Sequence, residues 1–294
     1  MNKPSSFPRK MPIGIQSFEK LRRENYVYVD KTELVYKLVS TSNPYFLSRP
    51  RRFGKSLLLS TMEAYFLGKR DLFKGLAIER LETEWNTHAV LHLDLNAEKY
   101  DSPERLHDML EFQLRGWEET YGTGGKGITH SGRFMEVIQR AYEKTGRGVV
   151  VLIDEYDKPL LDVLDTDYRM TDGNGNDLRI EELNRNILKG FYSAFKAADQ
   201  DLRFVLLTGV TKFSQVSVFS GFNQPEDISM SAAYEAVCGI TEAELEGTFH
   251  DEMDAMADEM GVSPEEVRQL LKRHYDGYHF SKRKTDIFNP FSLL

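Results

Sequence analysis

Cysteine is nearly absent: Cys238 is the only one in 294 residues. An intrachain disulfide and a cysteine-built zinc site are therefore excluded, and Cys238 itself reads as a small buried hydrophobe. Long apolar runs are missing too. No stretch approaches the ~20 apolar residues that span a membrane, and nothing after Met1-Asn2-Lys3-Pro4 has the length of a secretory signal. The cytoplasm is the expected compartment, with no membrane partner. Positive charge is in deficit, with 38 Lys and Arg against 46 Asp and Glu and a formal net charge of −8. A surface built throughout for nucleic acid is thus disfavoured, and direct nucleic-acid binding by this chain is not expected. There is no internal repeat and no low-complexity tract. Apolar residues make up 40% and charged residues 29%, so a globular chain of one large domain or two, with a substantial core, is expected rather than wholesale disorder.

What is there is an alternation of strands and helices. Tyr45 to Ser48, Ala89 to Leu95, Gly148 to Ile153 and Phe204 to Thr208 read as strands. The third is a continuous β-branched run, the pattern of a strand buried on both faces of a parallel sheet. Between them lie helical patterns over Lys31–Val39, Lys55–Leu67, Ser102–Tyr121, Gly132–Lys144 and Arg179–Ala198. Asp30 and Glu33 have the spacing of a capping box, as do Thr241 with Glu244 and Ser263 with Glu266. Asp165 to Asp177 is polar and reads as a loop. Beyond Gly221 no strong strand is evident; Val237-Cys238 is the weak candidate for a fifth core strand, and the last ~55 residues read as helical. The expected architecture is an α/β P-loop NTPase fold of three layers around a mostly parallel sheet. Residues 1–238 would form its core, with a helical, lid-like region over 239–294.

Two short motifs carry chemistry. Gly54-Lys55-Ser56 sits where a strand meets a helix. A phosphate needs inward-pointing backbone N–H groups at a helix N-terminus, and glycine permits the close approach. Lysine then supplies a point charge for the β- and γ-phosphates, and serine a hydroxyl for Mg²⁺. The tripeptide alone is weak, expected by chance roughly once per several chains of this length; its strand-then-helix setting sharpens it. The first glycine of the usual loop is replaced by Arg49, so the loop must turn differently, and Arg49, Arg51 and Arg52 are candidates to add charge. The second motif is Asp154-Glu155 at the end of the buried strand, where ligands bind in parallel sheets. Asp154 is the candidate Mg²⁺ ligand with Ser56, and Glu155 the candidate to orient and deprotonate an attacking water. One strand lies between the two motifs in the chain. That strand and the glutamate point to the additional-strand class of P-loop ATPases. In that class a polar residue closing the next strand senses the γ-phosphate or the water; Thr208 is the first choice and Thr211 the second. A basic surface turn and a strand-ending acidic turn are the plain alternatives, and each motif weakens the alternative for the other. His274, Tyr275, Tyr278 and His279 read as core or lid residues, and Lys282-Arg283-Lys284 as a solvated charge run.

Across nearly its whole length the chain resembles the AAA-ATPase-like family. The matching segments are Pro12 to Phe18, Tyr28 to Thr32, Phe46 to Ser56, Val151 to Pro159, Thr208 to Ser214 and Tyr275 to Pro290. The resemblance implies that Arg49-Pro50-Arg51-Arg52-Phe53-Gly54-Lys55-Ser56 is the family's usual phosphate loop. By that reading Arg49, Arg51, Arg52, Phe53, Gly54, Lys55, Ser56 and Leu57 would contact nucleotide. Asp30 would lie near the base, because Tyr28 to Thr32 would approach it. It also implies ATP rather than GTP, and a PD-(D/E)XK nuclease-like domain beyond residue 294 in longer members. Three readings stay open at this point. The chain is an Mg²⁺-dependent ATPase acting as a switch for an attached or partner effector, with self-association supplying an arginine in trans; or a nucleotide-binding module with little turnover; or the regulator of a nuclease-like, nucleic-acid-associated partner.

Overall fold

Side chains alternate across a strand, so a sheet buried on both faces needs two separate apolar cores. The computed structural model, which describes residues 9–41, 43–171, 175–212, 218–219, 225–275 and 277–294, has that arrangement. Five strands form one sheet: β1 (Pro44–Ser48), β2 (Val90–Asp94), β3 (Val149–Asp154), β4 (Leu202–Gly209) and β5 (Glu226–Asp227). All pairings are parallel and the order is β2-β3-β4-β1-β5. Tyr45 and Leu47 face one core with Val150, Leu152, Phe204 and Leu206. Phe46 faces the other with Val149, Val151, Ile153, Val205 and Leu207. β3 is buried at all six positions, as its β-branched run requires.

Helices cover both faces. On the Tyr45 side lie α1 (Phe18–Arg23), α2 (Thr32–Val39) and α3 (Lys55–Phe66). On the Phe46 side lie α4 (Pro103–Tyr121), α5 (His130–Thr145) and α6 (Ile180–Tyr192). The C-terminal part carries α7 (Glu242–Thr248), α8 (His250–Met260) and α9 (Pro264–Tyr275), with a third apolar cluster of its own around Leu245, Phe249 and Met253. The capping boxes predicted at Thr241 and Ser263 both form. Among the described residues no helix is long and apolar enough to cross a membrane.

Several expectations are corrected. The fifth core strand is not Val237-Cys238 but β5, two residues long, which pairs with Tyr45 and Phe46 of β1. The additional-strand arrangement itself holds, with β4 as the strand that separates β1 from β3 in space, whereas β2, which lies between them in the chain, is at the sheet edge. The Asp30–Glu33 capping box does not form: α2 starts at Thr32 with Lys31 at its N-cap. The Asp165–Asp177 segment is not all loop, because Arg169–Thr171 pairs antiparallel with Asp177–Arg179. The C-terminal part is not wholly helical either. A short antiparallel pair, Ile240–Thr241 with Ile287–Phe288, runs through it. Phe213, Ser214, Gly221 and Asp276 lie outside the described residues.

Candidate nucleotide site

β1 ends at Ser48, and α3 begins at Lys55 after six intervening residues. The turn between them requires left-handed backbone. Gly54 supplies it at φ +92° as the N-cap of α3, and Arg52 adopts it at φ +67°. Gly54 therefore presents the first amides of a 12-residue helix, the partial positive charge that favours an anion. Lys55 is buried, 3% exposed, with its ammonium donating to the Arg49 carbonyl oxygen at 3.2 Å and paired with Glu155 at 3.1 Å. Ser56 donates its hydroxyl to Asp154 Oδ2 at 2.5 Å. The loop and the acidic strand, about a hundred residues apart in the chain, thus meet through two side-chain contacts.

Asp154 is the hub. Its other oxygen accepts from Thr208 Oγ1 at 2.5 Å and from the Glu155 amide at 3.1 Å. Thr208 is fully buried and reaches the site through that aspartate. Glu155 has φ +53°, a conformation uncommon outside glycine and characteristic of functional turns. Burial pushes its carboxyl above the ordinary 4.5, and the Lys55 charge opposes the shift. Thr211, the second choice for a sensor, instead donates through its amide and hydroxyl to Asp157 Oδ2 at 2.7 and 2.8 Å. Asp157 is fully buried and ties the loop after β4 to the end of β3. Sequence reading passed over it because one more acidic residue in Asp154-Glu155-Tyr156-Asp157 carries no signal of its own.

Gly54, Lys55, Ser56 and Glu155 line a cavity of about 380 Å³. Its lining is polar where the loop, Glu155, Asn96 and Lys158 contribute, and apolar where Ile13, Ile15, Tyr28, Cys238, Ile240 and Phe249 of the N- and C-terminal segments contribute. Arg51, Arg52, Phe53 and Leu57 also line it. Phe53 is buried edge-on against Tyr278 and Phe280, at 4.8 and 5.4 Å between ring centres, and the Arg52 guanidinium sits 3.9 Å over the Phe291 ring. So Tyr278 is a support beneath the loop. His279 pairs with Asp286 at 2.7 Å, and Lys282, Arg283 and Lys284 are exposed as expected. Cys238 is buried in the cavity wall, where desolvation pushes its thiol up.

Two expected contact residues are turned elsewhere. Arg49 is 1% exposed. Its guanidinium donates to the carbonyls of Ser48, Ser229, Tyr234 and Glu235 and lies 4.0 Å over the Phe280 ring. It is committed to the protein's own backbone and does not line the cavity. Asp30 accepts from the amide and hydroxyl of Thr32 at 2.8 and 2.6 Å and from the Ala77 amide at 2.7 Å. Its carboxylate joins two helix starts; the next residue, Lys31, is the one in the wall, paired with Glu244.

The model of a family described as predicted AAA-ATPase matches residues 12–219. A relative in Azotobacter chroococcum mcd 1, described as an uncharacterized protein in the vnfD 5′ region, is 37% identical over 291 residues, 97% of this chain. The chain spans about half, 51%, of that relative's length.

Proposed function

The chain belongs to the predicted AAA-ATPase family, and from that premise we propose that it binds ATP with Mg²⁺ in the 380 Å³ cavity and hydrolyses it. The observation that carries the reading is the meeting of Gly54-Lys55-Ser56 with Asp154-Glu155 through the Ser56–Asp154 and Lys55–Glu155 contacts. The α3 amides and Lys55 hold the β- and γ-phosphates, and the base takes the apolar part of the lining. Ser56 and Asp154 offer a hydroxyl and a carboxylate oxygen side by side. That hard-oxygen pair fits magnesium, which keeps waters and takes phosphate oxygens rather than a full protein cage. When bound, the ion neutralises charge developing on the phosphates. Glu155 accepts the proton of the attacking water as its oxygen bonds to the γ-phosphorus; the bond to the bridging oxygen breaks, and ADP and phosphate leave. Thr208 fixes the Asp154 carboxylate. We further propose, from the family and the half-length match, that turnover serves as a switch for an effector carried by the rest of a longer protein or by a partner.

The test is calorimetric titration of the chain with ATP, with and without Mg²⁺, beside steady-state phosphate release. Lys55→Ala is expected to lose binding by at least about a hundredfold, because a charge-assisted phosphate contact and the loop's own support go together. Glu155→Gln is expected to bind within a few-fold of wild type and to release no phosphate. Equal loss of binding in both variants contradicts the assigned roles, and saturable binding without turnover in the wild type leaves a nucleotide-binding module.

A further inference from the structure

Phosphoryl transfer leaves charge on the γ-phosphate oxygens that many sites meet with an arginine from a partner. Among the described residues five cations line the cavity: Lys31, Arg51, Arg52, Lys55 and Lys158. Lys31 is paired with Glu244 in the wall, Lys55 opens α3 and is paired with Glu155, and Arg52 is stacked on Phe291. Arg51 precedes the loop glycine on the same turn as Arg52. Lys158 is placed differently. It opens the short helix Lys158–Leu161 directly after the acidic strand, and its amide donates to the Glu155 carbonyl at 2.9 Å. It therefore shares one turn of chain with the residue assigned to the attacking water.

The side chain is fixed there. Both oxygens of Asp162 accept from its Nζ at 2.7 Å, and the two side chains are only 18% and 15% exposed. Asp162 is itself anchored, since its Oδ2 accepts from the Tyr100 amide at 3.1 Å. An ammonium carries three donors, and the carboxylate engages two directions. An i,i+4 pair on a helix surface is worth only a few tenths of a kcal/mol, which gives no reason to hold a largely buried ammonium in the cavity lining.

We propose that Lys158 is a cation supplied in cis to the γ-phosphate, beside Glu155 and opposite the Lys55 loop, with Asp162 as its positioning residue. The inference rests on the ATPase reading and completes its site without a partner's arginine. The charge it provides is needed more in the transition state than in the ground state. Its removal must then weaken a transition-state mimic more than it weakens ADP.

The probe is ADP with aluminium fluoride and Mg²⁺, compared with ADP and Mg²⁺ alone, on the wild-type chain and on Lys158→Met, which keeps most of the side-chain volume. Lys158→Met is expected to bind ADP within about threefold of wild type, to bind the aluminium fluoride complex at least about thirtyfold more weakly, and to lose kcat by about a hundredfold or more with KM little changed. Lys158→Arg should recover part of both losses, and Asp162→Asn should show a smaller loss of the same sign. Retained aluminium fluoride binding in Lys158→Met overturns the assignment of Lys158 alone. A loss confined to melting temperature, with the ratio of the two affinities unchanged, also overturns it and leaves a structural salt bridge. A wild-type chain that binds neither probe removes the ATPase reading and this inference together.

Discussion

Glu155 sits in the left-handed region, is half-buried, and faces an ammonium 3.1 Å away. A non-glycine residue there costs about 1 kcal/mol or more, and burial of a carboxylate adds to that cost. Both are tolerable only because Lys55 and the Asp154 side chain hold the turn. The raised carboxyl pKa has two consequences of definite sign. The folded protein binds this proton more tightly than the unfolded chain, so the stability it contributes is present below pH 4.5 and is lost as pH rises through the higher folded value. Turnover runs the other way, because the base must be ionised. In a pH series of kcat/KM, which reports the groups of the free enzyme, the acid limb is expected to have its midpoint above 4.5, the ordinary value. A limb at or below that value would remove Glu155 as the base. The contiguous Gly54-Lys55-Ser56 and Asp154-Glu155 motifs were legible because each places its residue types at a forced point, strand end or helix start. Lys158 and Asp157 were not singled out, since their significance lies in what they touch: Asp162 for one, the Val210 and Thr211 amides for the other.

At the scale of elements, the loop after β1 is held from below as much as from within. Arg49 leaves the strand end and bonds to carbonyls at Ser229, Tyr234 and Glu235, so one side chain fastens β1 to the segment that follows β5. That segment closes back on the loop, where the Gly239 amide donates to the Phe53 carbonyl at 3.1 Å. Gly239 has φ +86°, and a Cβ there would come within 2.3 Å of the Ile287 side chain; only glycine fits. Arg49→Leu is expected to lower unfolding free energy by about 3 kcal/mol, because several buried carbonyls lose their donor, while ATP affinity falls no more than about threefold once the protein is folded. Denaturant melts and a titration below the midpoint measure both. A hundredfold affinity loss with unchanged stability would return Arg49 to the nucleotide. The basic run Arg49 to Arg52 looked uniform because composition cannot tell a guanidinium aimed at the core from two at a cavity mouth. The four long strands were readable from apolar runs. β5 was not: Glu226 and Asp227 are both exposed and charged, and only their pairing with Tyr45 and Phe46 makes them a strand.

On the scale of the whole molecule, the cavity is where the two ends of the described chain meet. Ile13 and Ile15 come from before α1, Ile240 and Phe249 from beyond the sheet, and Phe291 and Leu294 from the last turn. The apolar part of the lining was therefore not legible, as its walls are more than two hundred residues apart and carry no local pattern. The family resemblance placed only Tyr28 to Thr32 near it, and Tyr28, Val29 and Lys31 do line it. This architecture makes a prediction about hydrogen exchange. A ligand slows exchange at an amide only if the opening that exposes it also releases the ligand, and the slowing then approaches 1 + [L]/Kd. If nucleotide fills both the polar and the apolar part of the cavity, opening of residues 13–16 or 291–294 must release it. At ATP a hundred times above Kd, those amides are expected to slow by up to about a hundredfold, together with those of 54–58. The paired Arg169–Thr171 and Asp177–Arg179 segments are not part of the cavity lining and should exchange unchanged. Slowing confined to 54–58 would mean that phosphate alone is held, and that the apolar part serves some purpose other than the base. Slowing at all three segments would make the first and last described turns parts of the nucleotide site, so that residues more than two hundred positions apart in the chain respond to one occupancy.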